Sequence, residues 1–180
     1  MLSAFARAFR TPDLRRKLLF TIAIMAIFRV GSFIPTPGVD YPNVQQCIAE
    51  TADGNDLLSL VNLFSGGALL QLSIFALGIM PYITASIIVQ LLTVVIPHFE
   101  QLKKEGQSGQ AKMTQYTRYL TIALAVLQSS GIVALADRGQ LLGNGQSVLM
   151  DNDIITLVTI VIVMTAGAAL VMWFGELITD

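Results

Sequence analysis

The sequence has little charge and almost no histidine or cysteine, the residues from which zinc sites and disulfides are built. Of its 180 residues, 13% are charged and 54% are hydrophobic, whereas a soluble domain carries about 25% charged residues. It has one histidine, His98, and one cysteine, Cys47, far apart in the chain. A metal-ligand cluster and an internal disulfide framework are therefore excluded. His98 is interpreted as a surface residue. Cys47 is interpreted as a solitary loop thiol, with an intermolecular bridge as the alternative.

Ionisable residues are also absent where membrane chemistry would need them. The sequence has four long apolar runs. Three of them, at residues 72–96, 119–136 and 154–174, contain no Asp, Glu, Lys, Arg or His. Proton-coupled pumps and intramembrane hydrolases need such groups for relay or acid–base work. The sequence contains no H-E-x-x-H, no G-x-S-x-G and no phosphate loop. Its net charge of −1, without a basic stripe, argues against a nucleic-acid partner. We therefore expect no enzymatic activity and no cofactor.

What the sequence does have is apolar runs long enough to cross a membrane, and a mean hydropathy of +0.68. They cover residues 18–34, 72–96, 119–136 and 154–174, and about twenty apolar residues span the hydrocarbon core. The pattern predicts an all-α membrane protein with a single membrane domain and four transmembrane helices. Proline ends the first run at Pro35, and Pro81 predicts a kink in the second. Arg29 lies near the outer end of the first run, where it can snorkel or pair with another helix.

The basic residues predict the orientation of these helices. Residues 1–17 form a basic amphipathic segment suited to a membrane surface, and the hydrophilic loop 97–118 holds Lys103, Lys104, Lys112 and Arg118. The loops between the other runs hold only Arg138. The positive-inside rule therefore places both ends of the chain and loop 97–118 in the cytoplasm. A cleavable signal peptide is disfavoured, because Arg29 interrupts the first run and no cleavage site follows it.

A shorter apolar stretch gives the first indication of a pore. Residues 57–70 are too few to span a bilayer, and Ser65, Gly66 and Gly67 interrupt them. Non-helical backbone at membrane depth must be buried in protein or face a water-filled cavity. A re-entrant helix is therefore predicted here.

Two further patterns allow a structural or a functional interpretation. Ile79, Ile83 and Ile87 form a stripe that either faces lipid or forms a hydrophobic constriction that excludes ions by dewetting. Uncharged polar residues within or beside the runs either bond neighbouring helices or make a helix interface easy to open; these are Gln71, Thr84, Ser86, Gln90 and Gln128.

Several long blocks resemble the SecY family, the central subunits of the bacterial protein translocase. They are F-S-G-G-A-L at 64–69, S-I-F-A-L-G-I-M-P-Y-I-T-A-S-I-I at 73–88, Q-L-L-T-V-V at 90–95 and K-K-E-G-Q-S-G at 103–109. F-R-V-G-S-F-I-P at 28–35, Q-Y-T-R-Y at 115–119 and W-F-G-E-L-I-T at 173–179 extend the resemblance over essentially the whole chain. The loops and tail are most similar to actinobacterial members.

The resemblance implies a channel in the cytoplasmic membrane that passes unfolded polypeptides and releases membrane helices sideways into lipid. It implies that segment 57–70 is a plug, that Ile79 and Ile83 belong to an apolar pore ring, and that the lateral gate includes Thr84, Gln90 and Gln128. The plug residues would be Leu60, Asn62, Phe64, Ser65, Gly66 and Gly67. Implied partners are the SecE and SecG subunits, the SecA motor ATPase, the ribosome, secretory preproteins with their signal sequences, and membrane lipid.

Members of that family have ten spans in two inverted halves, so we expect this chain to be an N-terminal fragment of such a channel. The alternative from the residues is a component of a small-solute or ion transporter, which the lack of ionisable residues in three spans disfavours. An intramembrane enzyme would lack catalytic groups.

Overall fold

A computed structural model describes residues 12–51, 60, 63, 66–141, 149–150 and 153–179, and in this part of the chain the fold is all-α. Six helices lie there: α1 Pro12–Ser32, α2 Tyr41–Thr51, α3 Met80–Val95, α4 Pro97–Lys104, α5 Gln107–Asp137 and α6 Ile154–Thr179. These residues contain no strand, only two isolated antiparallel bridges, Pro35 with Ser73 and Val39 with Leu149. The predicted all-α class is confirmed for the described residues. Of the predicted surface segment 1–17, residues 1–11 lie outside them.

Two of these helices, α5 and α6, are each long and apolar enough to cross a membrane. Helices α3 and α4 would supply a third span only as a pair, because the chain bends by 100° between them. Helix α1 carries Arg15, Arg16 and Lys17 in its first turns and Arg29 in its last. By length and composition the described residues thus offer two or three spans. The count of four spans and a plug stays a prediction.

The start of α3 differs from the predicted span 72–96. The helix begins at Met80, and Pro81 lies in its first turn. A proline is well tolerated there, because the first N–H groups of a helix have no partner within it and the fixed φ of proline suits the helix. Pro81 therefore starts α3 instead of kinking a longer helix. With 16 residues, α3 is about 24 Å long, shorter than the hydrocarbon core of about 30 Å.

The predicted hydrophilic loop 97–118 is also different, since most of it is helical. Helix α4 occupies its first part, the chain turns at Gly106 with φ of 72°, and α5 begins at Gln107. Within α4, Lys104 and Glu100 form an ion pair of 2.6 Å one turn apart, the spacing that supports a solvated helix. Charge here marks exposed helical turns. The other predicted spans lie on α1, α5 and α6, which extend further at their hydrophilic ends.

Helix α5 is the centre of the packing, since it lies against both α3 and α6. Its buried residues recur every four positions and are small: Thr117, Thr121, Ala125, Ser129 and Val133. Small side chains let membrane helices approach closely. At one end Arg118 of α5 donates two hydrogen bonds to the Glu176 carboxylate of α6, at 2.9 and 2.6 Å. This pair joins two of the blocks that resemble SecY, Q-Y-T-R-Y and W-F-G-E-L-I-T.

Contacts at the two ends of the bundle define the relative directions of α1, α3, α5 and α6. At one end the chain after α1 meets the residues before α3 and α6 through the two bridges. At the other end the first turns of α1 and the last turn of α6 line one cavity of about 450 Å³. Helices α1 and α5 therefore run opposite to α3 and α6. The end with the Arg118–Glu176 pair also carries Arg15, Arg16, Lys17, Lys103, Lys104 and Lys112.

Candidate functional site

A non-helical stretch, residues 66–79, runs through the interior of the bundle and is called the buried segment below. Ala68 and Ser73 are fully buried, and Leu72 and Ala76 are each 1% exposed. The backbone is left-handed at Leu72, with φ of 46°, a conformation that costs a residue with a side chain about 1 kcal/mol. Such backbone is tolerated at membrane depth when protein surrounds it. The buried segment meets that condition.

Backbone hydrogen bonds hold the middle of the buried segment to the chain that follows α1. The Leu72 carbonyl accepts a bond from the Thr36 N–H at 3.1 Å and one from the Thr36 hydroxyl at 2.7 Å. The Ile74 N–H donates to the Ile34 carbonyl at 3.1 Å. Thr36 is buried, so these bonds are shielded from water. Buried polar groups are costly to leave unpaired, and this part of the segment is therefore firmly fixed.

Two glycines allow helices to touch the buried segment from both sides. A Cβ at Gly31 of α1 would lie 2.0 Å from the Phe75 ring, which also stacks on Phe28 with centroids 5.5 Å apart. A Cβ at Gly167 of α6 would lie 2.0 Å from the backbone oxygen of Ile74. No real side chain fits at such distances. The buried segment is held between α1 and α6, with contact to the backbone itself at Gly167.

Arg29 contacts the beginning of the buried segment. Its Nη1 donates a hydrogen bond to the Gly66 carbonyl, and its guanidinium lies over the Phe33 ring, 5.3 Å from the centroid. The sequence predicted that Arg29 snorkels or pairs with another helix. The structure shows a third arrangement, in which Arg29 binds the end of the buried segment. No sequence signal identifies this partner.

Ile79, predicted for the pore ring, is the last residue of the buried segment and is half-buried. It borders an apolar cavity of about 630 Å³ between α1 and α6, which Met25, Phe28, Val171 and Phe174 also line. Ile83 and Ile87 follow at one-turn intervals on α3 and are 41% and 51% exposed. The stripe thus begins at a cavity and continues on the outside of the described bundle.

The predicted lateral-gate residues lie on two helices that pack together. Gln128 of α5 is half-buried and lines a cavity of about 510 Å³ with Leu69, Ala76 and Met80. The Thr84 hydroxyl donates to the Met80 carbonyl of its own helix at 3.0 Å. Gln90 is exposed further along α3. The structure therefore brings Gln128 to Met80 at the start of α3, one turn before Thr84, and Gln90 lies further along the same helix.

Some of the predicted residues lie outside the described part of the chain. Among the plug residues these are Asn62, Phe64 and Ser65, whereas Leu60 is 53% exposed and Gly66 and Gly67 adopt left-handed φ of 66° and 86°. The side chain of Cys47 is also outside it. His98 is exposed, as predicted, with its ring edge against Phe99. Within the described ranges no three His, Cys, Asp or Glu side chains come together as a metal site would require.

A family model described as SecY matches residues 73–180, which include α3 to α6 and the second half of the buried segment. This match covers more than half of the chain. The chain belongs to the SecY family. The resemblance noted in the sequence blocks is thereby confirmed, and it extends through the helices that surround the site.

Relatives of this SecY-family chain carry the name protein translocase subunit SecY. Those of Streptomyces galbus and Mycobacterium tuberculosis are each 66% identical over 183 residues, which cover 100% of this chain and 42% of the relative. That of Corynebacterium glutamicum is 67% identical over 181 residues, 99% of this chain and 41% of the relative. The predicted similarity to actinobacterial members is confirmed. The chain spans about 42% of the length of the relatives it matches.

Proposed function

We propose that this chain forms part of the central subunit of a protein-conducting channel in the cytoplasmic membrane. Such a channel passes unfolded secretory proteins across the bilayer and releases membrane segments sideways into it. The name of the relatives, protein translocase subunit, supports this function. The observation that carries it is the buried segment, which is non-helical, is surrounded by helices and ends at Ile79 beside an apolar cavity.

In this proposal the isoleucines form one wall of an apolar constriction. Ile79 and Ile83 lie one turn apart, at and just after the end of the buried segment. Aliphatic side chains contact a passing chain without directional bonds, so they can close around any sequence. An empty apolar constriction excludes ions because water leaves it. Residues 57–70 act as the plug of the resting channel, and Leu60, Asn62, Phe64, Ser65, Gly66 and Gly67 belong to it.

The lateral gate is proposed at the interface of α3 and α5, with Thr84 and Gln128 towards the start of α3 and Gln90 further along its exposed side. The contact between these helices uses small residues such as Ala85 and Ala125. A cavity already separates Gln128 from the start of α3. Hydrogen bonds between membrane helices contribute only about 0.6 kcal/mol each, so polar side chains at this interface are separated at little cost. This interface is therefore suited to opening.

The end of the bundle that carries the Arg118–Glu176 pair and most of the described lysines and arginines is proposed to face the cytoplasm, in accordance with the positive-inside rule. Both ends of the chain then lie on that side, with four spans and the plug between them. SecA and the ribosome would engage the channel there, SecE and SecG would assemble with it in the membrane, and lipid would contact the exposed apolar side chains. Preproteins and their signal sequences are the proposed substrates.

Site-directed photocrosslinking to a stalled secretory chain tests this function. A photoreactive residue replaces Ile79 in a SecY of the relatives' length that carries these 180 residues. We expect an adduct with the stalled chain, because the side chain borders the proposed path. The matched position is Ile155 in the first turn of α6, which is 74% exposed. It is expected to give lipid adducts alone. A solute transporter would give no chain adduct from Ile79, and that result would refute the proposal.

A further inference from the structure

The middle of the buried segment and its Gly66 end are held in different ways. Around Leu72 the bonds are buried and use backbone groups and the Thr36 hydroxyl. At Gly66 the bond comes from a charged side chain on an exposed residue, Arg29. Arg29 lies in the last turn of α1, where its long side chain can reach water at the membrane surface once it releases its partner, whereas a buried hydroxyl cannot. The Gly66 end is therefore the end that can be released.

The backbone at that end is suited to movement. Gly66 and Gly67 both have left-handed φ, and glycine moves between left- and right-handed conformations with little steric cost. Gly66 is only half-buried, in contrast to the fully buried Ser73. Residues 66 and 67 can thus act as a hinge next to a reversible bond.

The docked conformation is also less than ideal for the segment itself. Leu72 has positive φ, and the Ser73 hydroxyl is fully buried without a hydrogen-bond partner. Strained backbone and orphaned polar groups persist where surrounding contacts impose them. The segment therefore depends on contacts from other elements to stay docked. Arg29 supplies a charge-assisted one, and such bonds are about twice as strong as neutral ones.

We propose that Arg29 is the positioning residue that anchors the Gly66 end of the buried segment and keeps it docked in the resting protein. The face of the Phe33 ring holds the guanidinium of Arg29 in place through a cation–π contact. Release of this one bond lets the segment undock from its Gly66 end, and an opening that proceeds past the Leu72 bonds exposes Ser73. The inference rests on the proposed function, because it gives the plug a docked and a released position. It adds the residue that holds the docked position.

The reporter for docking is a thiol at the fully buried position of Ser73. The Ser73→Cys replacement is nearly isosteric and breaks no side-chain hydrogen bond in the structure. It is made in the full-length protein with Cys47→Ser and without other cysteines. The rate of labelling by a membrane-impermeant maleimide then measures how often the segment opens. We expect Arg29→Gln to raise this rate about tenfold, the effect of losing one charge-assisted bond at a partly exposed site.

Arg15→Gln is the matched control, since it removes the same charge from an exposed position at the far end of α1. Its labelling rate should equal that of the parent. A second variant, Phe33→Leu, keeps the charge and removes the supporting ring, and it should raise the rate about threefold. If Arg29→Gln does not accumulate in the membrane, the labelling rate of Phe33→Leu decides whether Arg29 anchors the segment. Unchanged rates in the Arg29 and Phe33 variants, or an equal rise in Arg15→Gln, would overturn the anchor.

The Ile79 crosslink, measured in the same preparations, separates this inference from the proposed function. An Ile79 adduct with unchanged thiol labelling in Arg29→Gln means that the channel stands and the anchor is wrong. Faster labelling without an Ile79 adduct means that Arg29 fixes the segment in a protein that does not conduct chains.

Discussion

The Gly167→Ala variant is expected to lose about 3 kcal/mol of stability, at the upper end of what overpacking costs. A methyl group at this position would lie 2.0 Å from the backbone oxygen of Ile74 and 2.9 Å from its carbonyl carbon. Backbone atoms cannot rotate away as a side-chain end can. The segment cannot retreat towards α1 either, because Phe75 already touches Gly31 there. Thermal unfolding of the purified full-length protein in detergent measures the loss.

Gly175→Ala on the same helix is the control for this experiment. A Cβ at Gly175 meets no atom within 4 Å, and alanine favours helix over glycine by about 1 kcal/mol. This variant should therefore be as stable as the parent or slightly more so. Equal stability of the two alanine variants would show that α6 does not press on the buried segment as described.

The Ile83→Asn variant is expected to raise the resting ion conductance of the proposed full-length channel on the order of tenfold, because a polar amide at the proposed constriction would keep water in it. Conductance across a planar bilayer measures this effect. Ile83→Leu keeps an apolar side chain of the same size and should conduct as little as the parent. If the asparagine and leucine variants conducted equally, Ile83 would not belong to the seal.

The apolar runs predicted the positions of α5 and α6 because long uncharged stretches have few alternatives to a membrane helix. They were less informative where the chain is hydrophilic. The hydrophilic character of residues 107–118 predicts a loop, yet these residues form the first turns of α5. Pro81 was interpreted as a kink, although a proline near the start of a helical pattern also marks a first turn. That signal was available in the sequence.

The site could be predicted only in part, for a physical reason. The interrupted run at 57–70 and the isoleucine stripe are local patterns. The structure places residues 66–70 of that run in the buried segment and Ile79 half-buried beside an apolar cavity, whereas Ile83 and Ile87 are exposed. The contacts that hold the segment are not local. Arg29 and Gly66 are 37 positions apart, and the close approach of Gly167 to Ile74 depends on how α6 is placed. A glycine or an arginine alone does not specify its neighbour, so these pairings required the tertiary structure.

The most direct test of the buried segment as the seal of a conduit extends the crosslinking experiment along α3. Photoreactive residues placed singly at positions 79 to 90 should give adducts with a stalled secretory chain that peak at Ile79 and Ile83 and are minimal at Ala85 and Val89, which face α5. Lipid adducts at Ile79 and Ile83, with no secretory-chain adduct at either, would contradict the account and leave α3 as an ordinary lipid-facing helix.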